Sequence, residues 1–180
     1  MRKRFIVAVL GMIVFFNPGL KRAEAQELPA LVSTRWLEEN LENPELILID
    51  VRSAEDFEKG HIPYSLNIPA YPNWYINPPG GDPLWMELPD DPQLKEVLAQ
   101  ARITPDSKVI VIPRTSDSPD GKHALYHITE ASRALITLMY AGIDKVSFLN
   151  GGYDKWGAEQ KEINTGVTAA PELPFTGEFI

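Results

Sequence analysis

The chain contains no cysteine among its 180 residues. This absence excludes structural disulfides and every reaction step that needs a thiolate, because no other side chain supplies that group. The stability of the fold must therefore come from packing. Any side-chain nucleophile would have to be something other than sulfur.

Positive charge is also scarce. The chain has 17 lysine and arginine residues against 25 aspartate and glutamate residues, which gives a formal net charge of -8. A surface of this sign repels nucleic-acid phosphates and anionic lipid headgroups, so we expect neither as a partner. A chain of 180 residues is long enough for one ordinary core and too short for two domains of average size.

A long apolar segment is missing as well, since the N-terminal apolar run covers only residues 5–16. Basic residues at 2–4 precede this run and Ala23-Glu24-Ala25 follows it, which is the order of charged, apolar and small-residue parts found in a secretory signal peptide. A permanent transmembrane anchor is the alternative, but crossing a bilayer takes about 20 apolar residues. We predict that residues 1–25 are a signal peptide, that the mature protein is periplasmic or secreted, and that it keeps no membrane span.

Strands and helices are predicted in alternation along the rest of the chain. Continuous apolar runs at 46–49, 109–112 and 146–149 are typical of strands that are covered on both faces in a parallel sheet. Helices are predicted from Ser33 as an N-cap, from Asp91-Pro92, over Glu130–Ala141 with Gly142 as its stop, and as a last turn at 153–156. This alternation indicates an α/β domain.

Two stretches lack any periodic pattern. Residues 68–89 are rich in proline, glycine and aromatic residues, and they predict a long loop that serves as a functional rim or as a packed flap. Trp74, Tyr75 and Trp85 in this loop either line a substrate mouth or pack onto the domain. The second stretch, from Pro113 to about His127, is polar and irregular.

The second stretch offers candidates for a metal site and for a nucleophile. His123 and His127 are four residues apart and would share one face of a helix as metal ligands, with Asp117 and Asp120 nearby. The alternative is a solvated acidic loop, and we predict no metal because the segment is a poor helix former at its start. The hydroxyl residues Thr115, Ser116 and Ser118 show no base at a fixed spacing, so we assign none of them as a nucleophile.

Four segments together resemble the rhodanese (sulfurtransferase) family. They are Asp50-Val51-Arg52, Glu55-Asp56-Phe57, Gly60-His61-Ile62-Pro63 and Asn150-Gly151-Gly152. The resemblance implies a rhodanese-like α/β fold with a mainly parallel central sheet flanked by helices on both faces. It also implies a linker at 26–30, a rhodanese-like domain at 31–164 and a connector-like tail at 165–180.

The resemblance implies a site that has lost its nucleophile. The family's cysteine follows a strand like 109–112, in a loop whose backbone N–H groups hold an anion. Pro113 occupies that position here, so we predict no catalytic residue and no cofactor. Arg114, Thr115 and Ser116 are the candidates for a remaining anion-binding loop.

The other family signatures are interpreted as structural. Asp50 and Arg52 can be buried because a buried charge is tolerated when it is paired. The Gly60–Pro63 turn fixes the path of the chain into the next segment. One departure occurs after Pro63, where the family usually has Gly-Ala and this chain has Tyr64-Ser65. We therefore expect a different turn at that point. The structural signature residues are Asp50, Arg52, Glu55, Gly60, His61, Pro63, Gly151, Gly152 and Trp156.

Two functions follow from the resemblance. The first is a catalytically inactive, exported rhodanese-like domain with a binding or regulatory role toward a protein partner or a small anion. The second is part of a thiosulfate or 3-mercaptopyruvate sulfurtransferase whose catalytic cysteine lies in a second domain or chain, since the chain resembles the first half of a tandem sulfurtransferase. An arsenate reductase or phosphatase of the same fold fails because it also needs a cysteine.

Overall fold

The computed structural model describes residues 28–77 and 86–167. The predicted signal peptide, Trp85 and most of the predicted C-terminal tail lie outside these ranges. Within them, none of the helices has the length and apolar character needed to cross a bilayer.

In the described part of the chain, five parallel strands form one sheet in the order β1-β5-β4-β2-β3. The predicted runs are confirmed as β2, β4 and β5, whereas β1 and β3 are too short to leave a pattern in the sequence. The strands are β1 (Leu31–Val32), β2 (Leu46–Asp50), β3 (Ser65–Asn67), β4 (Lys108–Ile112) and β5 (Val146–Leu149).

Within residues 28–77 and 86–167, five helices lie between strands and a sixth follows β5. The helices are α1 (Thr34–Glu39), α2 (Ala54–Lys59), α3 (Ala70–Asn73), α4 (Asp91–Gln100), α5 (Ala124–Tyr140) and α6 (Gly152–Ala158). Ser33 is the N-cap of α1, as predicted, and its Oγ accepts the N–H of Trp36. The N-cap of α4 is Asp90, one residue before the predicted one, and it accepts the N–H of Gln93.

Helix α5 begins at Ala124, so its predicted start at Glu130 was wrong. The Ala124 N–H is donated to Oδ1 of Asp117, 2.8 Å away, while the N-cap residue His123 makes no side-chain cap bond. The cap thus comes from a residue seven positions earlier, which a search for local helix-start signals does not detect.

The core has one layer on each face of the sheet, because side chains along a strand point alternately to the two faces. Val109 and Val111 of β4 pack into a cluster with Leu138 of α5 and residues of α4, on one face. Ile110 and Ile112 pack on the other face with α1 and α6 residues, including Trp156. The predicted α/β fold with helices on both faces of a parallel sheet is confirmed.

Two aromatic residues of the 68–89 loop, Trp74 and Tyr75, belong to the core, whereas Tyr71 is exposed. Trp74 and Tyr75 are 0% and 1% exposed, so the packing interpretation holds for both of them. The indole Nε1 of Trp74 donates to the Ile68 carbonyl, and the Thr137 hydroxyl of α5 donates to the Trp74 carbonyl. The part of the loop around Trp74 and Tyr75 is therefore packed against α5.

Candidate functional site

The candidate site lies where β2 and β4 end, at the carboxyl edge of the sheet, which is the usual ligand position in open α/β sheets. A cleft of about 390 Å³ opens there. Helix α2 and residues 69–71 form one side of this cleft, and the segment that follows β4 forms the other together with the first turns of α5.

Asp50 and Arg52 form a buried ion pair at the end of β2. Arg52 Nη2 lies 2.6 Å from Asp50 Oδ2, and Arg52 Nε lies 3.0 Å from Oδ1. The same Nη2 donates to the Gly60 carbonyl at 2.8 Å, and the guanidinium stacks 3.6 Å from the ring centroid of Tyr153. Arg52 thus ties β2 to the turn after α2 and to α6.

Unlike Asp50, Glu55 forms no ion pair with Arg52. Its carboxylate lies 2.7 Å from Lys59 Nζ, and both side chains are exposed. Such a surface pair contributes little to stability.

The Gly60–Pro63 turn is packed tightly against its surroundings. The His61 ring stacks on Phe57 at 3.8 Å, and its Nδ1 lies 2.9 Å from the Phe57 carbonyl oxygen. Pro63 is buried, and Tyr64 has a φ of 65°, in the left-handed region that favours glycine. Tyr64 therefore occupies a backbone conformation that suits glycine better, at the position where the family usually has glycine.

Pro113 is buried at the end of β4, against the start of α6. Its carbonyl accepts the N–H of Tyr153 at 3.0 Å. A Cβ on Gly152 would lie 2.2 Å from the Pro113 carbonyl oxygen, and Gly152 has a φ of 55°. Only glycine fits this approach, so Gly152 sets the close packing of Pro113 on α6.

The candidate anion-binding loop holds a carboxylate of its own chain. The Thr115 N–H donates to Asp154 Oδ2 at 2.6 Å, and the Ser116 hydroxyl donates to Asp154 Oδ1 at 2.5 Å. Burial alone would raise the pKa of the Asp154 carboxyl, but the bonds from Ser116 and Thr115 and the charge of Arg114 outweigh it and lower the pKa. Asp154 is thus an ionised internal ligand of this loop.

Arg114, the third candidate residue of the anion-binding loop, also binds a carboxylate of its own chain. Its Nη2 lies 2.6 Å from Asp56 Oδ2 of α2, and both side chains are largely covered. Burial opposes ionisation of Asp56, but hydrogen bonds from Arg114 and Ser53 lower its pKa overall. The charge of Arg114 is therefore largely balanced inside the protein.

The two candidate metal-binding histidines do not converge. His123 is exposed, with Nδ1 3.7 Å from Asp117 Oδ2, whereas His127 is partly buried on α5 beside Glu130. In residues 28–77 and 86–167, no group of three or more histidine, aspartate or glutamate side chains is placed to hold a metal ion. The interpretation that these histidines lie on a solvated loop holds for His123, which is exposed. It does not hold for His127, which is partly buried on a helix.

A chain of hydrogen bonds at the cleft wall was not predicted from the sequence. His127 Nδ1 lies 3.2 Å from Glu130 Oε2, and His127 Nε2 lies 3.0 Å from the hydroxyl oxygen of Ser118. The Tyr75 hydroxyl donates to Glu130 Oε1 at 2.8 Å. The spacing of His127 and Glu130, three apart on a helix, was visible in the sequence, but the position of Ser118 depends on how the loop closes.

Comparison with known proteins gives one family. Residues 33–159 match the profile of the Rhodanese-like domain. The sulfur carrier protein TtuD of Thermus thermophilus is 26% identical over 157 residues, which cover 83% of this chain and 48% of that protein. The 3-mercaptopyruvate sulfurtransferase of Escherichia coli is 25% identical over 160 residues, which cover 82% of this chain and 51% of the enzyme.

Solved structures show the same fold. The crystal structure of SseA from Escherichia coli, described with 3-mercaptopyruvate sulfotransferases, superposes with a TM-score of 0.62 at 24% identity, over 84% of this chain and 56% of SseA. The chain spans about half the length of the curated relatives it matches.

Proposed function

We propose that this chain, which belongs to the rhodanese-like domain family, does not itself transfer sulfur and acts by binding another protein. Sulfur transfer in this family is expected to pass through a cysteine persulfide, and the chain has no cysteine. The fold is therefore retained for something other than this step.

The internal carboxylate at the candidate anion loop carries the proposal. Asp154 accepts the Thr115 N–H and the Ser116 hydroxyl, which are donors that a bound anion would need. A second anion beside Asp154 would meet a like charge at close range. This arrangement disfavours a small anion as the ligand and favours a protein partner.

An exposed apolar stripe on α5 supports a protein partner. The stripe consists of Ile136 (50% exposed) and the residues three and four positions after it, Met139 (55%) and Tyr140 (63%). Neighbouring apolar side chains left in water on one helix are typical of an interaction surface. The partner would cover this stripe.

A second candidate is half of a two-part sulfurtransferase. It is favoured by the coverage of the curated relatives, because this chain corresponds to about half of each. In that case the partner is a rhodanese-like domain that carries the cysteine, in the same protein or in another.

Export is part of the proposal, and it rests on the order of residues 2–4, 5–16 and 23–25 in the sequence. N-terminal sequencing of the protein from its native cells should begin at Gln26. Protein that retains residues 1–25 would contradict export by a cleaved signal.

The proposed function is tested by turnover assays with thiosulfate and with 3-mercaptopyruvate, using cyanide as the acceptor. We expect no turnover from the purified chain alone. Turnover by this chain alone would contradict the proposal. Turnover that rises when a cysteine-bearing rhodanese-like domain from the same genome is added would support the two-part enzyme.

The binding surface is tested by Met139→Glu, which places a charge in the α5 stripe. This variant should weaken the complex with that added domain at least tenfold, as measured by sedimentation or calorimetry. Ala158→Glu is the matched control, since Ala158 is exposed on α6, which packs on the opposite face of the sheet. Equal losses from both variants would contradict a partner on α5.

A further inference from the structure

The cleft wall carries a hydroxyl, an imidazole and a carboxylate in series. Ser118 Oγ lies 3.0 Å from His127 Nε2, and His127 Nδ1 lies 3.2 Å from Glu130 Oε2. All three side chains line the cleft of about 390 Å³. This order of groups, at hydrogen-bond distances, is the geometry that activates a serine for nucleophilic attack.

Tyr75 fixes the carboxylate of this series. Its hydroxyl donates to Glu130 Oε1 at 2.8 Å, which leaves Oε2 facing His127. Burial raises the pKa of the Tyr75 hydroxyl, with the charge and hydrogen bond of Glu130 acting in the same direction, so the phenol stays protonated and remains a donor. When the His127 ring carries its proton on Nδ1, that N–H faces Glu130 Oε2 and Nε2 is the acceptor that faces Ser118 Oγ.

Ser118 also contacts its own loop. Its Oγ is within hydrogen-bond distance of Asp120 Oδ1, and it lies 3.3 Å from the Lys122 carbonyl oxygen. A hydroxyl has one proton, so Asp120 and His127 compete for it. These contacts hold Ser118 Oγ at the position from which it reaches His127 Nε2.

We propose that Ser118 is a nucleophile, activated by His127 and oriented through Glu130, that takes an acyl group from small uncharged carboxylic esters. Ser118 Oγ forms a bond to the ester carbonyl carbon, and its proton passes to His127 Nε2. The C–O bond to the alcohol then breaks, and the alcohol leaves with that proton. Water activated by His127 hydrolyses the acyl-serine, which releases the carboxylic acid and restores the hydroxyl.

The cleft indicates the substrate class. Among the residues that the structure describes, four basic and four acidic side chains line the cleft, so their formal charges balance. Its volume of about 390 Å³ lies near the lower end of the range for small-molecule sites. A short, uncharged ester fits both properties. The basic residues are Arg52, Lys59, Arg114 and Lys122, and the acidic residues are Glu55, Asp56, Asp120 and Glu130.

A fluorophosphonate probe tests the nucleophile directly, because Ser118 Oγ would displace fluoride and form a stable bond to phosphorus. Peptide mass spectrometry of the labelled protein should place the adduct on Ser118. Ser118→Ala should lose it, and Ser132→Ala should label like the unchanged protein. Ser132 is the matched control because it lies on α5 and its hydroxyl bonds within the helix, to the Ile128 carbonyl.

The roles of His127 and Glu130 are tested by the labelling rate. His127→Gln and Glu130→Gln should each slow labelling at least tenfold, with thermal melting used to confirm that both variants are folded. Glu130 acts as a positioning residue, so Glu130→Asp, which keeps the carboxylate, should recover part of the rate. If Glu130 had only a structural role, Glu130→Asp and Glu130→Gln variants of equal stability would be labelled at the same rate.

Turnover is measured with p-nitrophenyl acetate. We expect release of nitrophenol by the unchanged protein and at least a tenfold loss in Ser118→Ala. The proposal is overturned if the folded protein takes no label at Ser118. It is also overturned if His127→Gln labels at the unchanged rate. These readouts involve no sulfur, so they succeed or fail independently of the proposed protein-binding function.

Discussion

A carboxylate oxygen of Asp154 lies 2.6 Å from the backbone nitrogen of Thr115 and accepts a hydrogen bond from its N–H. Asp154 stands on α6, and Thr115 stands in the loop that follows β4. In the rhodanese family this loop is expected to surround a cysteine and hold an anion. Here the donors of this loop bind the carboxylate of Asp154, which belongs to the protein itself.

Asp154→Ala should lower the free energy of unfolding by about 2 kcal/mol, since hydrogen bonds to a charged group contribute about 1.5–3 kcal/mol and the Thr115 N–H would lose its partner. Urea denaturation of the two proteins measures the difference. Asp144→Ala is the control, because Asp144 is exposed, and it should change stability by less than about 0.5 kcal/mol. Equal effects of the two substitutions would contradict the role of Asp154.

The effect of Asp154 should also depend on pH. Its pKa in the folded protein is lowered, and the unfolded value is close to 4. The stabilisation is therefore fully present above about pH 5 and is lost as the pH falls through the folded-state pKa. Unfolding curves at pH 7 and pH 3 should show that the gap between the unchanged protein and Asp154→Ala shrinks at the lower pH. A gap that widens at pH 3 would contradict this account.

The buried pair at the end of β2 should show strong coupling. Arg52→Met leaves the Asp50 carboxylate buried without its partner, and it should cost about 3–5 kcal/mol. The double variant Asp50→Asn with Arg52→Met removes the unpaired charge, so it should be less destabilised than Arg52→Met alone. Chemical denaturation of the single and double variants measures this coupling. Simple addition of the two single effects would show that Asp50 and Arg52 act independently.

Gly152→Ala should destabilise the protein by at least about 2 kcal/mol, because its Cβ would collide with the Pro113 carbonyl at a left-handed backbone position. Gly157 lies on the same helix, and a Cβ there would meet no heavy atom of the described residues within 4 Å. Gly157→Ala should therefore be neutral or should stabilise by up to about 1 kcal/mol. Thermal melting of both variants checks the contrast, and a tolerated Gly152→Ala would contradict the close approach.

Pro113→Cys should not create a sulfurtransferase. Position 113 is buried, which raises the pKa of a thiol and keeps it unreactive. The Thr115 N–H is also donated to Asp154, so it is not free to hold a persulfide. The thiosulfate and cyanide assay should give no turnover with this variant. Measurable turnover would show that the loop still works as an anion cradle.

Several elements could be predicted because their signals are local. The apolar runs that became β2, β4 and β5 form continuous stretches, and the Ser33 cap sits beside the helix that it starts. Helix α2 was missed although Ser53 and Asp56 carry a start signal of the same kind, with the Asp56 N–H donated to Ser53 Oγ. That helix is six residues long and has little periodicity to detect.

The site could be predicted only in part, because its partners are distant in sequence. The family resemblance located Pro113 and the loop after it, but Asp154 is 39 residues from Thr115. Ser118 and His127 are nine residues apart and meet only because the loop turns back onto α5. Spacing rules for helices and strands do not describe such contacts.

The most direct test of the account is the mass of the intact protein after incubation with thiosulfate, without any added protein. We predict a mass identical to that of the untreated protein, because no side chain in the chain can carry the transferred sulfur. A mass increase of one sulfur atom that cyanide removes would contradict the account.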